Sequence, residues 1–587
     1  METFRRTRAR PFAWLLFNWK VLLICFGLSA LGSSVPGPIT FEEIAGRAGV
    51  RFRSDSSPTP AKHQPEPMLA GVALFDYDGD GYLDIYFVNG AGMPSLVKEG
   101  PRYKNRLFRN NHDLTFTDVT DKAGVGGAGY GIGAAVGDYD NDGRPDLYVA
   151  NVNGYQLFHN NGDGTFSDVT RKAGVGGGLY KGKKMWSVAA AWLDYNNDGL
   201  LDLFVSNYCR WDPATEQACF ANGQNGPRVT CDPRYCPPLP HTLYRNNGDG
   251  TFTDVSVQTG IAAHLGRGMG VAIADYDGDG YPDIFVANDN ASNQLFHNIH
   301  GERFEEVALD AGVAFGDAGN VLSGMGVDFR DVRNDGLPSV WMTAIEKQTF
   351  PLYINVGHGQ FVDKTSVAGL EMDTFEMSGW GNGIADLDND GWKDLFVARS
   401  NIDTNVHQFS PRMYEEPNTV FRNLGNGKFR DVSATAGSDF QIPGAHRGLA
   451  FGDLDNDGRM DAVVAVLNGQ AKIFHNTTRN GNHWILLKLS GTKSNRMGIG
   501  AKIRLTAADG SVQYNHATTS MGYGGSSDPR VHFGLGANAV AQEIRITWPS
   551  GITQTLRDVA ADRVVPVTEP DAGKREAKHA NAVPQQP

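Results

Sequence analysis

Short apolar runs recur along the chain, each closed by an acidic, glycine-bearing loop and followed by a second apolar run. GVALFD, GAAVGD and GVAIAD precede such loops; LDIYFVN, DLYVAN and DIFVAN follow them. Runs of this length, rich in Val, Ile, Phe and Tyr and bounded by turn residues, read as strands. A second motif alternates with the first: LFRNNHDLTFTDVTDKAGV (107–125), LFHNNGDGTFSDVTRKAGV (157–175) and LYRNNGDGTFTDVSVQTGI (243–261), with looser copies from Leu295, Leu352 and Val420. It supplies two more strands joined by a tight Asn/Asp-Gly hairpin. The unit is therefore four antiparallel strands, repeated seven times with a period of about 63 residues.

This pattern predicts an all-β fold, a seven-bladed β-propeller over 39–476. The ends of the array are out of phase. ITFEEIAGRAGV (39–50) is a fourth strand without its first three, and IFHN (473–476) is a third without its fourth. The N-terminal segment is thus expected to complete the last blade and remove an open edge, a shift that a row of separate domains would not need. Residues 51–67 form a polar, Pro-rich loop into the first blade. After Asn476 the period stops; alternation and Gly-rich turns over 482–568 predict a small β-sandwich-like domain, and 569–587 a disordered tail.

Composition adds limits. With 72 Gly in 587 residues and 41% hydrophobic residues the chain is folded and turn-dense, and a net charge of −13 leaves no whole-chain basic field for nucleic acid. Arg5, Arg6, Arg8, Arg10 and Lys20 precede the apolar VLLICFGLSAL (21–31), which makes residues 1–34 an export signal. That run is short of the roughly 20 residues of a helical span, which favours cleavage near Gly32 over an uncleaved anchor, the one membrane attachment the sequence offers. The expected destination is secreted, periplasmic or cell-surface. Four cysteines remain, Cys209, Cys219, Cys231 and Cys236, all inside the insertion 207–241. An even, clustered set in an exported chain favours two disulfides, with the pairing open; the spacing lacks the paired CxxC of a structural zinc site.

The acidic loops follow D-x-[DN]-x-D-G-x-x-D. Four oxygen-bearing side chains at positions 1, 3, 5 and 9 and the backbone carbonyl at position 7 can converge on one hard cation, with Gly at 6 permitting the turn. The first loop offers Asp76, Asp78, Asp80 and Asp84 with Tyr82, the second Asp138, Asp140, Asp142 and Asp146 with Arg144. The third offers Asp194, Asn196, Asp198 and Asp202 with Leu200, the fourth Asp275, Asp277, Asp279 and Asp283 with Tyr281. The sixth offers Asp386, Asp388, Asp390 and Asp394 with Trp392, the seventh Asp453, Asp455, Asp457 and Asp461 with Arg459. All-oxygen, carboxylate-rich coordination suits calcium. An EF-hand is excluded, because the twelfth position is Phe87, Val149, Val205, Val286, Val397 or Val464 and strand follows. Six copies in register with the blades separate these loops from ordinary Asp/Gly turns, so about six structural calcium ions are expected. In the remaining loop, 331–339, Arg333 and Ser339 replace two donors. No ion is expected there, with the guanidinium standing in the cation's place.

Topology puts the Asp loops and the strand three–four hairpins on one face and every long connection on the other. Long loops on a rigid scaffold usually carry binding. Arg210, Trp211, Asp289, Arg399 and Tyr414 are the candidates on that face, weighed against plain solvated loop residues. In the last domain Trp484, Tyr514, Tyr523 and Trp548 are alternative contacts, although aromatics at alternating strand positions are more often core.

The repeats resemble the FG-GAP/VCBS repeats of integrin α-subunit propellers. With NHWILLKLSGTKSNRMGIGAKIRL (482–505), HFGLG (532–536) and WPSG (548–551), which match the ASPIC/UnbV pattern, the chain resembles the cartilage acidic protein family over about 39–568. The resemblance implies a secreted, calcium-binding, adhesive or matrix-associated protein. No GxSxG elbow, HExxH helix or Cys/His nucleophile pair occurs. The expectation is therefore a non-catalytic module that recognises an extracellular glycan or protein. The alternative is an extracellular enzyme acting on polysaccharide or in natural-product biosynthesis, with a propeller-face active site that leaves no local motif.

Overall fold

A computed structural model describes residues 38–571; the export-signal assignment and all but the first residues of the tail lie outside it. Among the described residues seven sheets are each built on a path of four antiparallel strands. The first runs Val72–Phe75, Asp84–Phe87, Arg106–Asn110 and Phe116–Asp118, and the others repeat that order. The out-of-phase ends do meet. Phe41–Glu43 pairs antiparallel with Lys472–Asn476, Phe41 opposite Asn476, so the first strand of the chain is the outer strand of the seventh sheet. The Phe41 ring stacks on Phe440 at 5.5 Å, which anchors the closing strand by apolar burial as well as by hydrogen bonds.

Neighbouring sheets are tied by a side chain that recurs once per repeat. The Asn ending each third strand donates from Nδ2 to the second residue of the preceding sheet's Asp loop. Asn160 reaches Tyr77 O at 2.8 Å, Asn246 Tyr139 O at 2.7 Å and Asn423 Val332 O at 3.0 Å. Asn110 closes the circle on Leu454 O of the seventh sheet, at 2.8 Å. In every loop but the first and fourth, which have Gly79 and Gly278, a second Asn at loop position 4 points the other way. Asn141 donates to Gly199 O at 2.8 Å and Asn456 to Gly81 O at 3.1 Å, across the closure. Asn456 holds φ 59, a left-handed conformation that Asn tolerates better than most residues.

Residues 483–568 form two sheets around one apolar core. His483–Ser490 lies between Val531–Gly536 and Arg563–Thr568; Lys502–Ala507 lies between Val512–His516 and Val540–Thr547, with Thr553–Ala560 outermost. This module sits against the Asp loops: Lys393 Nζ donates to Tyr514 O and Asp331 O, both at 2.9 Å, and Arg530 Nη2 to Asp453 O at 2.9 Å. Its segment 517–528 enters the middle of the ring. Thr519 Oγ1 donates to Val136 O (2.9 Å), Ser520 Oγ to Val271 O (2.6 Å), Gly522 N to Val327 O (2.8 Å) and Asp528 N to Phe451 O (2.9 Å). Gly525 pairs in parallel with Val72, where an added Cβ would fall 2.2 Å from Leu449 O. At the tip Tyr523 is fully buried, its ring 5.2 Å from Trp380 and its hydroxyl donating to Met68 O at 2.7 Å. The module therefore plugs the ring from the Asp-loop side. Glu569 is no part of a loose tail: it is buried and accepts backbone N–H bonds from Thr492, Lys493 and Ser494, because it caps that turn.

Candidate metal loops and the opposite face

Each Asp loop is folded by its own carboxylates before any ion is considered. The Gly at position 6 donates to the position 1 carboxylate, as in Gly81 to Asp76 (3.0 Å) and Gly458 to Asp453 (2.8 Å). The position 9 carboxylate accepts two backbone bonds: Asp84 takes Tyr77 N at 3.0 Å and Asn110 N at 2.8 Å. That residue thus joins the loop to the third strand, and in the degraded loop Ser339 Oγ keeps the same link to Asn355 N at 3.2 Å.

The remaining oxygens converge. Donor atoms of Asp76, Asp78 and Asp84 lie within 4.8 Å of one another, as do those of Asp138, Asp140 and Asp142. Burial and like charge oppose ionisation here. Desolvation first, and the neighbouring Asp residues after it, push Asp84 up to about 8 and Asp138 to about 7. In the third loop Asp194 rises to about 7, and in the fourth burial with Asp277 nearby takes Asp283 to about 7. Asp386, Asp388, Asp390 and Asp394 of the sixth loop are all raised, by desolvation and by each other. Asp76 Oδ1, Asp388 Oδ1 and Asp455 Oδ1 are buried without a hydrogen-bond partner. Hard carboxylate oxygens left unpaired in a polar pocket fit a divalent cation.

The sequence reading missed one recurrent member of these clusters, the residue before the strand-three Asn. His159 groups with Asp140 and Asp146, His297 with Asp277 and Asp283, and His475 with Asp455 and Asp461. In the first and sixth sheets the position is arginine: Arg109 bridges Asp78 (2.6 Å) and Asp80 (3.0 Å), and Arg422 lies 2.8 Å from both Asp388 and Asp390. The third has Arg245, and beside the degraded loop the position is Ile354. There Arg333 pairs with Asp335 at 2.5 Å and donates to Asn355 O at 2.8 Å, so a guanidinium does stand among the loop's remaining acceptors. The signal was present in the LFRN/LFHN alternation, a basic residue wherever the loop is intact.

On the opposite face the cysteine insertion is closed by nested disulfides, Cys209–Cys236 and Cys219–Cys231. It reaches across the ring: Arg228 Nε donates to Ala61 O at 2.8 Å, and Thr230 N to Asp403 Oδ1 at 2.9 Å. Beneath it lies a cavity of about 630 Å³ whose walls include Met68, Met269, Met325, Trp380 and Asp289. Asp289 accepts from the Tyr208 hydroxyl at 2.8 Å, and burial raises it to about 6. Arg210 and Trp211 line a neighbouring pocket of about 430 Å³. Arg399 and Tyr414 serve the fold instead. Arg399 binds Glu416 at 2.6 Å and Thr419 at 2.9 Å, and Tyr414 packs against the core around the ring's centre, because the 399–419 connection folds back on its own blade. Of the module's aromatics, Trp548 is core, Trp484 is buried against Gly458, Tyr523 fills the ring, and Tyr514 borders a cleft at the seam.

Comparison with known proteins places these features. The FG-GAP-like repeat family matches residues 76–149, 138–205, 240–286, 275–342 and 386–464, and the ASPIC and UnbV family matches 491–574. Cartilage acidic protein 1 of Xenopus tropicalis is 26% identical over 536 residues, covering 88% of this chain and 67% of the relative; that of Homo sapiens is 24% identical, covering 88% and 73%. Among solved structures, an Agrocybe aegerita lectin described as recognising non-reducing terminal N-acetylglucosamine is 16% identical at a TM-score of 0.39, covering 68% of this chain and 87% of its own. A Bacillus licheniformis rhamnogalacturonan lyase is 14% identical at 0.36, covering 70% and 72%.

Proposed function

Because the chain belongs to the FG-GAP-like repeat family and carries an ASPIC and UnbV module, we propose that it is an exported, calcium-binding recognition protein that binds an extracellular glycan or protein without turning it over. The observation that carries this reading is the cavity under the disulfide insertion, with apolar walls and a buried carboxylate, on the face that collects the long connections. Two disulfides support export, since they persist in oxidising compartments.

Calcium belongs to the scaffold in this reading. It is held by the carboxylates at positions 1, 3, 5 and 9 of the six intact loops, Asn196 replacing one, with the position 7 carbonyls of Tyr82, Arg144, Leu200, Tyr281, Trp392 and Arg459. The ion supplies positive charge to oxygens that otherwise repel one another. Arg109, Arg422 and the three histidines temper that repulsion from the third strands. Metal analysis of the purified protein, followed by glycan-array and polysaccharide-turnover assays, tests the proposal. About six calcium ions and saturable binding without turnover support it. Polysaccharide cleavage would replace it with the enzyme reading.

A further inference from the structure

The seam between the Asp loops and the C-terminal module encloses a cleft of about 690 Å³ that no long connection reaches. One wall is the fourth Asp loop and Tyr281. The other is the polar face of the module's four-stranded sheet. Cross-strand register puts Arg504 directly opposite Arg545 and Tyr514 opposite Arg504, with Lys502 one pair along on the same face. The intervening residues Ile503, Leu505, Ile544 and Ile546 point into the core.

This arrangement is costly for folding alone. Like charges directly opposite on adjacent strands destabilise a sheet. The available compensation is thin: Glu543 is shared by three guanidinium groups, Arg557 at 2.8 Å, Arg545 at 3.6 Å and Arg504 at 4.0 Å. Arg504 and Arg545 keep side-chain exposures of 38% and 54% despite these pairings and a bond from Arg504 Nη1 to Thr506 Oγ1 at 3.0 Å. Guanidinium donors on one sheet face suit a planar or tetrahedral oxyanion. Opposite that face lies the fourth Asp loop, whose Asp277 and Asp279 belong to the proposed cation site. Tyr281 and Tyr514 add flat faces at the edges.

We propose that this cleft binds an acidic saccharide, its carboxylate or sulfate on Arg504 and Arg545 and its ring faces against Tyr281 and Tyr514. An acidic peptide offers the anion without a ring face for the two tyrosines, so the lining favours sugar. The site lies across the ring from the cavity holding Asp289, and its test is independent of that one.

The test is a binding titration of the intact protein in calcium-containing buffer. The probes are polygalacturonate for uronate, dextran sulfate for sulfate, and dextran and polyglutamate as controls, with the R504Q/R545Q variant beside the unaltered protein. One or both acidic polysaccharides should bind and dextran should not. R504Q/R545Q should weaken binding at least tenfold with a thermal midpoint equal to or above the unaltered protein's, since a repulsive pair has been removed. Failure of both polysaccharides, equal binding of polyglutamate, or unchanged affinity in R504Q/R545Q would overturn the proposal. A lower midpoint in that variant would also overturn it, by making the arginines structural.

Discussion

On one face of the ring the connections are nine-residue Asp loops that vary little from blade to blade. On the other they range from short turns to the disulfide-bearing insertion. The repeated face is bound together: strand-three Asn residues and position 4 Asn residues bond neighbouring sheets there, and the module covers it and fills the ring. The variable face keeps an open cavity under a roof that bonds to loops of other blades. Repetition specifies the scaffold because each copy must make the same bond to the next. Departures from repetition are where the molecule acquires surfaces of its own.

Calcium removal should break this contrast most strongly. Each site filled at a hundredfold excess over its Kd adds about 2.7 kcal/mol to stability, so chelation should lower the thermal midpoint steeply, and hydrogen exchange should rise first in the Asp loops. An unchanged midpoint would mean the loops are held by their arginines and histidines alone.

Acid should separate the two states further. Buried, neutral His241 and His532 are held down near 4 and His446 and His516 near 3 by desolvation, below the usual value near 6.5. Their stabilisation is complete above pH 6.5 and is lost as pH falls toward 4, because the unfolded chain takes up the protons. The metal-free carboxylates act with the opposite sign. Asp84, Asp138 and Asp283, raised to between about 7 and 8, favour folding when protonated and oppose it as pH rises through those values. Thermal melts should therefore show the metal-free protein gaining stability from pH 8 to 7, while the calcium-loaded protein does not.

Tyr523→Ala removes the side chain at the tip of the plug and should cost about 3–5 kcal/mol in denaturant unfolding. A cost under 1 kcal/mol would show the plug to be dispensable. Replacing Cys219 and Cys231 by Ser opens the inner disulfide loop, worth about 2–4 kcal/mol. The loss should appear as faster exchange in 207–241 with the Asp loops unmoved. Asn456→Ala is the smallest change, about 1–3 kcal/mol for the lost bond to Gly81 O at the ring closure and the one accepted from Arg530, and should match Asn141→Ala, which loses the bond to Gly199 O and the one accepted from Arg496 N.

Much of the scaffold was legible because it repeats. Strand order, the phase shift at the ends and the position of every Asp loop follow from period and from what Asp, Asn and Gly permit in a turn. The alternating Arg/His beside each loop was equally visible and passed over, since its meaning depends on which face of the third strand meets the loop. Arg399 and Tyr414 looked like exposed loop residues, and the backbone of 399–419 turns them inward.

By itself the sequence determined the local rules: where strands start and stop, which oxygens gather in each loop, and that the cysteines pair among themselves. Those are short-range matters of dihedral preference, spacing and charge. The tertiary structure alone decided that the module seals the Asp-loop face with Tyr523 at the ring's centre, that the insertion roofs a cavity, and that Arg504 and Arg545 share one cleft. These contacts join residues hundreds of positions apart, and only the closing of the ring brings their surfaces together.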